Sequence, residues 1–475
     1  MNPLIKLTAR EAVSKLRTGE ITPLNLIDAA EERISETDSA VNALPTLCLD
    51  RARERATHLT SGSPVRTDSA WLAGLPIAVK DLNDVQGVRT TYGSPLFADH
   101  IPDGSDVMVE HLEDNGALVI AKSNSPEFGH GANTFNEVFG QTLNPWNTAM
   151  TCGGSSGGSA VALASGQAWL ATGSDLGCSL RTPAAFCSVV GLRPSPGRVA
   201  RSRVRLPYDN LWVQGPMARN VGDVAMMLDA MVGEHPLDPI SLAAPSAPYQ
   251  AAVDNPRPPK RVAWSRDLGG ITPVDGKVAE ICERAVQRLS ELGAEVVEAS
   301  PDLSDAREIF HVLRANQFVG DLAPIIESNR DKVKPEVIWN LEQGYKLTAE
   351  KLAEAERGRG LLAQRAAAFF DDFDVLITPA TIVAPFDVNI RAVNRCNGHE
   401  FENYFDWYTI AYAITATSLP ALSLPCGFTA DGLPVGLQVI GPPRGEASLL
   451  SAAQSMEDLF NIATLVPIDP RSPAQ

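Results

Sequence analysis

The segment Gly153-Gly-Ser155-Ser156-Gly-Gly-Ser159 constrains this chain more than any other. Four glycines around paired serines require tight turns and close backbone approach, a composition shared with polar linkers. A linker would not run straight into a small-residue helix pattern through Ala164, nor into a second glycine-containing turn, Ser174-Asp-Leu-Gly-Cys-Ser179-Leu-Arg181. A glycine-rich turn ahead of a helix leaves unpaired N–H groups aimed at one spot, as an anion or oxyanion site requires.

Read literally, Gly153-Gly-Ser155-Ser-Gly157 fits G-x-S-x-G, which needs a strand immediately before it and an acid and then a histidine after it. Asn144-Pro-Trp-Asn-Thr-Ala-Met-Thr151 does not read as a central strand, and His235, His311 and His399 lie in polar or loop-like settings. A serine nucleophile without histidine needs another base, and a lysine serves when desolvation lowers its pKa. Lys80 fits: it ends the apolar run Leu75 to Val79 and precedes Asp81. Taken alone, a lysine at a strand end is ordinarily a surface group, and the chain has no S-x-x-K. The residues by themselves leave a Ser/Lys hydrolase as one reading among several.

Along the chain, short apolar runs alternate with helical patterns. Thr8-Ala-Arg-Glu11 has capping-box spacing with Gly19 as a stop, and Thr22-Pro23 starts a second helix. Strands are expected at Pro76 to Val79, Ala117 to Ala121, Arg261 to Trp264, Glu295 to Glu298, Asp374 to Thr378, Ala421 to Leu424 and Pro434 to Ile440. Helices are expected from about Asp275 to Leu292, over Gln343 to Arg365 as one charged helix, and from Glu446 to Leu459. Ala243 to Pro259 reads as a long surface loop inside one domain. Such alternation indicates an α/β sheet with helices on both faces.

Charge narrows the partners. With 40 basic and 57 acidic residues the formal net charge is -17, which opposes binding to nucleic acid or anionic membrane. Two stretches lack charges, Val138 to Ser174 and Trp407 to Ala430, but glycine and proline interrupt both. They read as backbone buried in protein rather than membrane spans. Lys6, Arg10, Glu11, Lys15 and Arg17 preclude an apolar signal-peptide core in the first twenty residues. The seven cysteines show no C-x-x-C pair, and Cys396 and His399 lack a second ligand pair, so no metal site is expected. Free thiols in a reducing cytoplasm are the expectation.

Pro76-Ile-Ala-Val-Lys80-Asp81, Gly153 to Ser159, and Asp175-Leu-Gly-Cys-Ser179-Leu-Arg181-Thr-Pro-Ala-Ala-Phe-Cys187 resemble the amidase signature family. The resemblance extends to Thr91-Tyr-Gly-Ser-Pro-Leu96, Lys122-Ser-Asn-Ser-Pro-Glu-Phe128, Gly191-Leu-Arg-Pro194 and Gly432 to Gly441, and weakens between about Arg201 and Phe373. It implies a single α/β domain over 1–475 with a large mixed β-sheet: a signature core at about 74–200, a variable specificity region at about 201–373, and C-terminal strands and helix at about 374–465. It also implies a catalytic lysine at Lys80, a bridging serine after a cis peptide at Ser155, and a nucleophile at Ser179. The N–H groups of Leu176, Gly177, Cys178 and Ser179 would form the oxyanion hole, with Ser156, Asp175 and Arg181 in support and Gly129 lining the substrate.

Chemically, neutral Lys80 would take a proton through Ser155 from Ser179, which attacks the carbonyl and becomes acylated. The family usually has glycine where this chain has Cys178, so a positive φ there would carry a cost of about 1 kcal/mol. The implied substrate is a small-molecule amide or carbamate, with no cofactor, and the chain would be a monomer or homodimer. The alternative is the glutaminase component of a tRNA-dependent amidotransferase, against which Lys334 to Gly344 departs from the expected pattern. Specificity is expected from loops around 125–132, 201–215, 310–345 and 395–412, with Phe318, Trp339, Tyr345, Phe401, Tyr404 and Trp407 as aromatic walls.

Overall fold

The computed structural model describes residues 1–60, 66, 68–202 and 205–473. Its frame is one sheet of eleven strands: β1 (Thr46–Leu47), β2 (Pro76–Lys80), β3 (Leu118–Ser123), β4 (Leu170–Asp175), β5 (Val190–Arg193), β6 (Val213–Ala218), β7 (Arg261–Trp264), β8 (Glu295–Glu298), β9 (Val375–Pro379), β10 (Ala421–Phe428) and β11 (Pro434–Ile440). The spatial order is β1-β3-β2-β4-β6-β5-β10-β11-β9-β7-β8. β2 runs parallel to β3 and β4, β7 runs parallel to β8 and β9, and the strands between these groups pair antiparallel. Every residue of β2, β3, β9 and β11 is buried. Successive side chains point to opposite faces, so burial of all of them means that both faces are covered.

The N-terminal helices form as their caps dictate. Thr8 closes a complete capping box on Ala9–Thr18, and Gly19 ends that helix in the left-handed conformation at φ 72°. Thr22 caps Pro23–Val41, which has proline in its first turn. Neither charge-free stretch forms a membrane helix, and among the described residues no helix is long and apolar enough to cross one. Instead, both helices they contain, Gly157–Ala164 and Thr409–Thr417, are buried along their whole length.

Four strands escaped the periodicity argument: β1, β4, β5 and β6. β4 reads Leu-Ala-Thr-Gly-Ser-Asp and β6 Val-Gln-Gly-Pro-Met-Ala, sequences of low strand propensity. Their neighbours impose the extended conformation, since Leu170 to Asp175 pair residue for residue with Ala218 to Val213. β3 runs to Ser123, which places Lys122 inside the strand rather than at its end. The charged stretch 343–365 is two helices, because Pro335–Tyr345 stops and Thr348 caps Ala349–Phe369 afresh. The loop 243–259 contains one short helix, Tyr249–Asp254.

Gly157–Ala164 needs its glycines for space. A Cβ on Gly158 would lie 2.3 Å from the backbone N of Asn124 and 2.6 Å from the carbonyl O of Ala43. Backbone cannot rotate aside as a side chain can. Gly158→Ala should therefore destabilise the fold by about 1–3 kcal/mol or more, seen as a lower midpoint in denaturant unfolding; an unchanged midpoint would mean that the helix shifts freely.

Candidate active site

β2 and β4 are adjacent parallel strands, and their C-terminal ends carry Lys80 and Ser174-Asp175. The turn before Gly157–Ala164 brings Ser155 and Ser156 to the same place, and the turn from β4 into Arg181–Cys187 brings Ser179. Crevices at the carboxyl ends of parallel strands are where open α/β sheets bind ligands.

Lys80 has 0% exposure. Its Nζ lies 2.8 Å from Ser155 Oγ, 2.9 Å from Ser156 Oγ and 3.0 Å from Ser174 Oγ. Three oxygens satisfy the nitrogen in either state: an ammonium donates three bonds, an amine donates two and accepts one. Burial pushes this lysine down to about 7, while the charge of Asp175 pulls it partly back up. Ser156 holds the turn together, because its Oγ donates to the Ser174 carbonyl at 3.4 Å and accepts from the Ser174 N–H at 3.3 Å. Ser174 is absent from the sequence-derived site. Its only signal was its place at the start of the second glycine turn.

The Gly154–Ser155 peptide is cis. Ser156 N–H donates to the Ser179 carbonyl at 3.2 Å, which ties the two serine turns to each other. Around 176–179 the carbonyls face inward: Gly177 O accepts from Arg181 and Cys178 O from Thr182 N–H. Among the described residues, the N–H groups of Leu176, Gly177, Cys178 and Ser179 have no acceptor within the protein. Neither Gly177 nor Cys178 has positive φ, so the side chain of Cys178 carries no backbone strain. Gly177 is required for a different reason, since a Cβ there would meet Tyr408 Cε2 at 2.8 Å. Burial pushes the Cys178 thiol up to about 12, with Asp175 adding to it, which disfavours thiolate chemistry.

Asp175 and Arg181 form a buried ion pair at 2.8 Å. Burial would raise this carboxyl, but Arg181, Arg193 and the Leu180 N–H hold it below its usual range. Arg181 also donates to Ala411 O, Thr415 Oγ1 and Gln438 Oε1, joining the turn to the C-terminal third of the chain.

A cavity of about 410 Å³ opens over these groups, and Ser155, Ser174, Leu176, Gly177, Cys178 and Ser179 form its floor. Gly129 lies above Ser155 at φ 74°, where a Cβ would sit 3.4 Å from Ser155 Oγ and 2.7 Å from Leu82 Cδ1. His130 lines the cavity beside it and packs on Phe318 with ring centroids 4.0 Å apart. Of the expected aromatic walls only Phe318 lines the cavity. Trp339 and Tyr404 pack behind it on Phe405, Trp407 packs on Phe386, and Phe401 packs on His399. Tyr345 lies on the surface and donates to Glu327. The aromatic lining comes instead from Tyr92, Phe97, Phe128, Trp212 and Tyr408. From the 201–215 loop Ser202, Arg205 and Trp212 reach the cavity, and positions 203 and 204 lie outside the described residues.

The family model described as Amidase matches residues 25–450. The chain belongs to the Amidase family. It is 32% identical over 466 residues to an acylamidase of Rhodococcus erythropolis, covering 98% of this chain and 97% of that one. It is 36% identical over 478 residues to the amidase-like component of the glutamyl-tRNA(Gln) amidotransferase of Thermus thermophilus, covering 95% and 97%. The fold matches a bacterial aryl acylamidase of the amidase signature family at TM-score 0.88 and 24% identity, over 98% of this chain and 100% of that one. The protein is thus a hydrolase of amide bonds with the expected single-domain α/β fold.

In this amidase Arg181→Met would strip Asp175 of its nearest cation and cut three ties to the C-terminal third. Breaking a buried pair costs about 3–5 kcal/mol, so the variant should unfold at clearly lower denaturant; an unaltered midpoint would show that Arg193 suffices.

Proposed function

We propose that this amidase works alone on small-molecule amides through an acyl-enzyme on Ser179, with Ser155 and Lys80 as the proton relay. The observation that carries this reading is Lys80 itself, fully buried, held among three hydroxyls and pushed down to about 7. A buried amine of that kind is an acceptor near neutral pH. Ser155 connects it to the nucleophile and returns the proton to the leaving amine, the demanding step in amide cleavage. The N–H groups of Leu176, Gly177, Cys178 and Ser179 hold the oxyanion, each lost donor costing about 2.7–4 kcal/mol. Ser156, Asp175 and Arg181 keep the turns in register, and Gly129 borders the scissile bond. Aryl carbamates and esters fit the same acyl chemistry. The seven free thiols suit a cytoplasmic enzyme.

The 36% identity to an amidotransferase component favours a second reading, a glutaminase that passes ammonia to a partner. The purified chain, offered an anilide, a primary amide, an aryl carbamate, an aryl ester and glutamine, separates the two. Anilide or carbamate cleavage with glutamine untouched, abolished in Ser179→Ala, is the expected outcome. Glutamine turnover alone would favour the amidotransferase reading, and full activity in Ser179→Ala would overturn the nucleophile.

The lysine gives a pH signature. Only the unprotonated amine accepts a proton, so activity is lost as pH falls through the depressed value. Plotted against pH, kcat/KM should rise with an acid limb centred near 7 and level off above it. A rate flat between about pH 5 and 8 would rule out a lysine base.

A further inference from the structure

Helix Ala306–Ile326 presents one face to the cavity: Arg314, Gln317, Phe318, Asp321, Leu322 and Ile325. That is spacing i, i+3, i+4, i+7, i+8, i+11, the single stripe of an α-helix. The stripe is polar at both ends, with Arg314 toward one and Asp321 two turns away, roughly 10 Å along the axis.

Arg314 is 3% exposed and lines the cavity. Its guanidinium donates to Asn340 Oδ1 and to Tyr404 Oη, the latter at 2.7 Å, and lies over the rings of Phe318 and Phe405 at 4.8 and 4.4 Å. Both acceptors are neutral. Among the described residues Arg314 forms no ion pair. Other buried arginines are satisfied differently: Arg181 and Arg193 face Asp175, and Arg219 spends its donors on the carbonyls of Ile5 and Leu7. A guanidinium has five N–H donors, and the two bonds to Asn340 and Tyr404 leave three. A buried cation with spare donors and no counter-charge is costly unless an anion completes it. Its charge is felt at Tyr408 and at His130, and Tyr408 in turn packs on Gly177. The free cation is therefore beside the serine turns, not at a remote rim.

We infer that Arg314 is a specificity residue that binds a carboxylate of the substrate, so that the preferred amides are acids. This rests on the amidase reading above and names its substrate class. The carboxylate belongs to the Arg314 end of the stripe, since Asp321 would repel it at the other. It is carried either by the acyl part or by the amine part, and the two can be told apart.

The test uses matched anilides on the full chain. For the acyl side, N-(4-nitrophenyl)succinamate is compared with 4-nitrobutyranilide; for the amine side, 4-acetamidobenzoate with acetanilide. Charge-assisted bonds should favour the acid over its neutral partner by roughly tenfold or more in kcat/KM on one side. Arg314→Met should bring that ratio close to one, and Arg314→Lys should keep part of it. The ratio is the readout, so a general loss of activity in a variant does not imitate it. Acid and neutral partners cleaved within threefold of each other on both sides would overturn the inference while leaving the amidase reading intact. Should none of the anilides turn over, the stand-alone amidase reading fails. Calorimetric binding of the same pairs to Ser179→Ala then decides Arg314 by itself, with equal affinities counting against it.

Discussion

The buried pair of Asp175 and Arg181 is the contact on which the rest of the site depends. Asp175 ends β4, and Arg181 opens the helix after the Ser179 turn, so the pair fixes the span of that turn. Taking both charges out of water is expensive, and the expense is offset because nearly every donor and acceptor is used. Asp175 accepts from Arg181 Nε and Nη2 and from Leu180 N–H, while Arg181 reaches Gly177 O, Ala411 O, Thr415 and Gln438. With the carbonyls of the turn drawn inward, its N–H groups are left facing the cavity. The same arginine staples residues of β11 and helix Thr409–Thr417 to the serine turn, which makes the C-terminal third part of the site's scaffold.

Lys80 shows the complementary use of burial. Asp175 is kept charged in the interior by two arginines, whereas Lys80 has only hydroxyls in contact and so leans toward its neutral form. Two buried titratable groups a short way apart are thus driven in opposite directions by their partners. The second buried lysine, Lys122, marks the difference. It pairs with Asp81 at 3.3 Å and donates to Asn83 O and Thr90 Oγ1, which anchors the loop leading to Tyr92.

The floor and walls of the cavity have separate origins. The floor is made by tightly packed, glycine-dependent turns that tolerate little change. The far wall is one face of helix Ala306–Ile326, whose side chains can vary without disturbing those turns. Amide chemistry and substrate choice therefore sit on different parts of the chain, which is why enzymes with different named activities share this fold.

Much was legible from residue order alone. The caps at Thr8 and Thr22, the buried runs of β2, β7 and β11, and the glycine-serine turns announce themselves because their signals are local: side-chain spacing, capping oxygen atoms, residues that admit close approach. The motif segments also picked out Lys80, Ser155 and Ser179 as candidates, which the fold gathers around one cavity. Tertiary structure alone decided the rest. β4 and β6 are strands because neighbours pair with them, not because their residues prefer it. Ser174 contacts Lys80, Tyr408 replaces Trp407 at the cavity, and Arg314 stands without a carboxylate only through contacts between segments far apart in the chain. Such contacts leave no period in the sequence, since the free energy that fixes them comes from burial and pairing across the folded core.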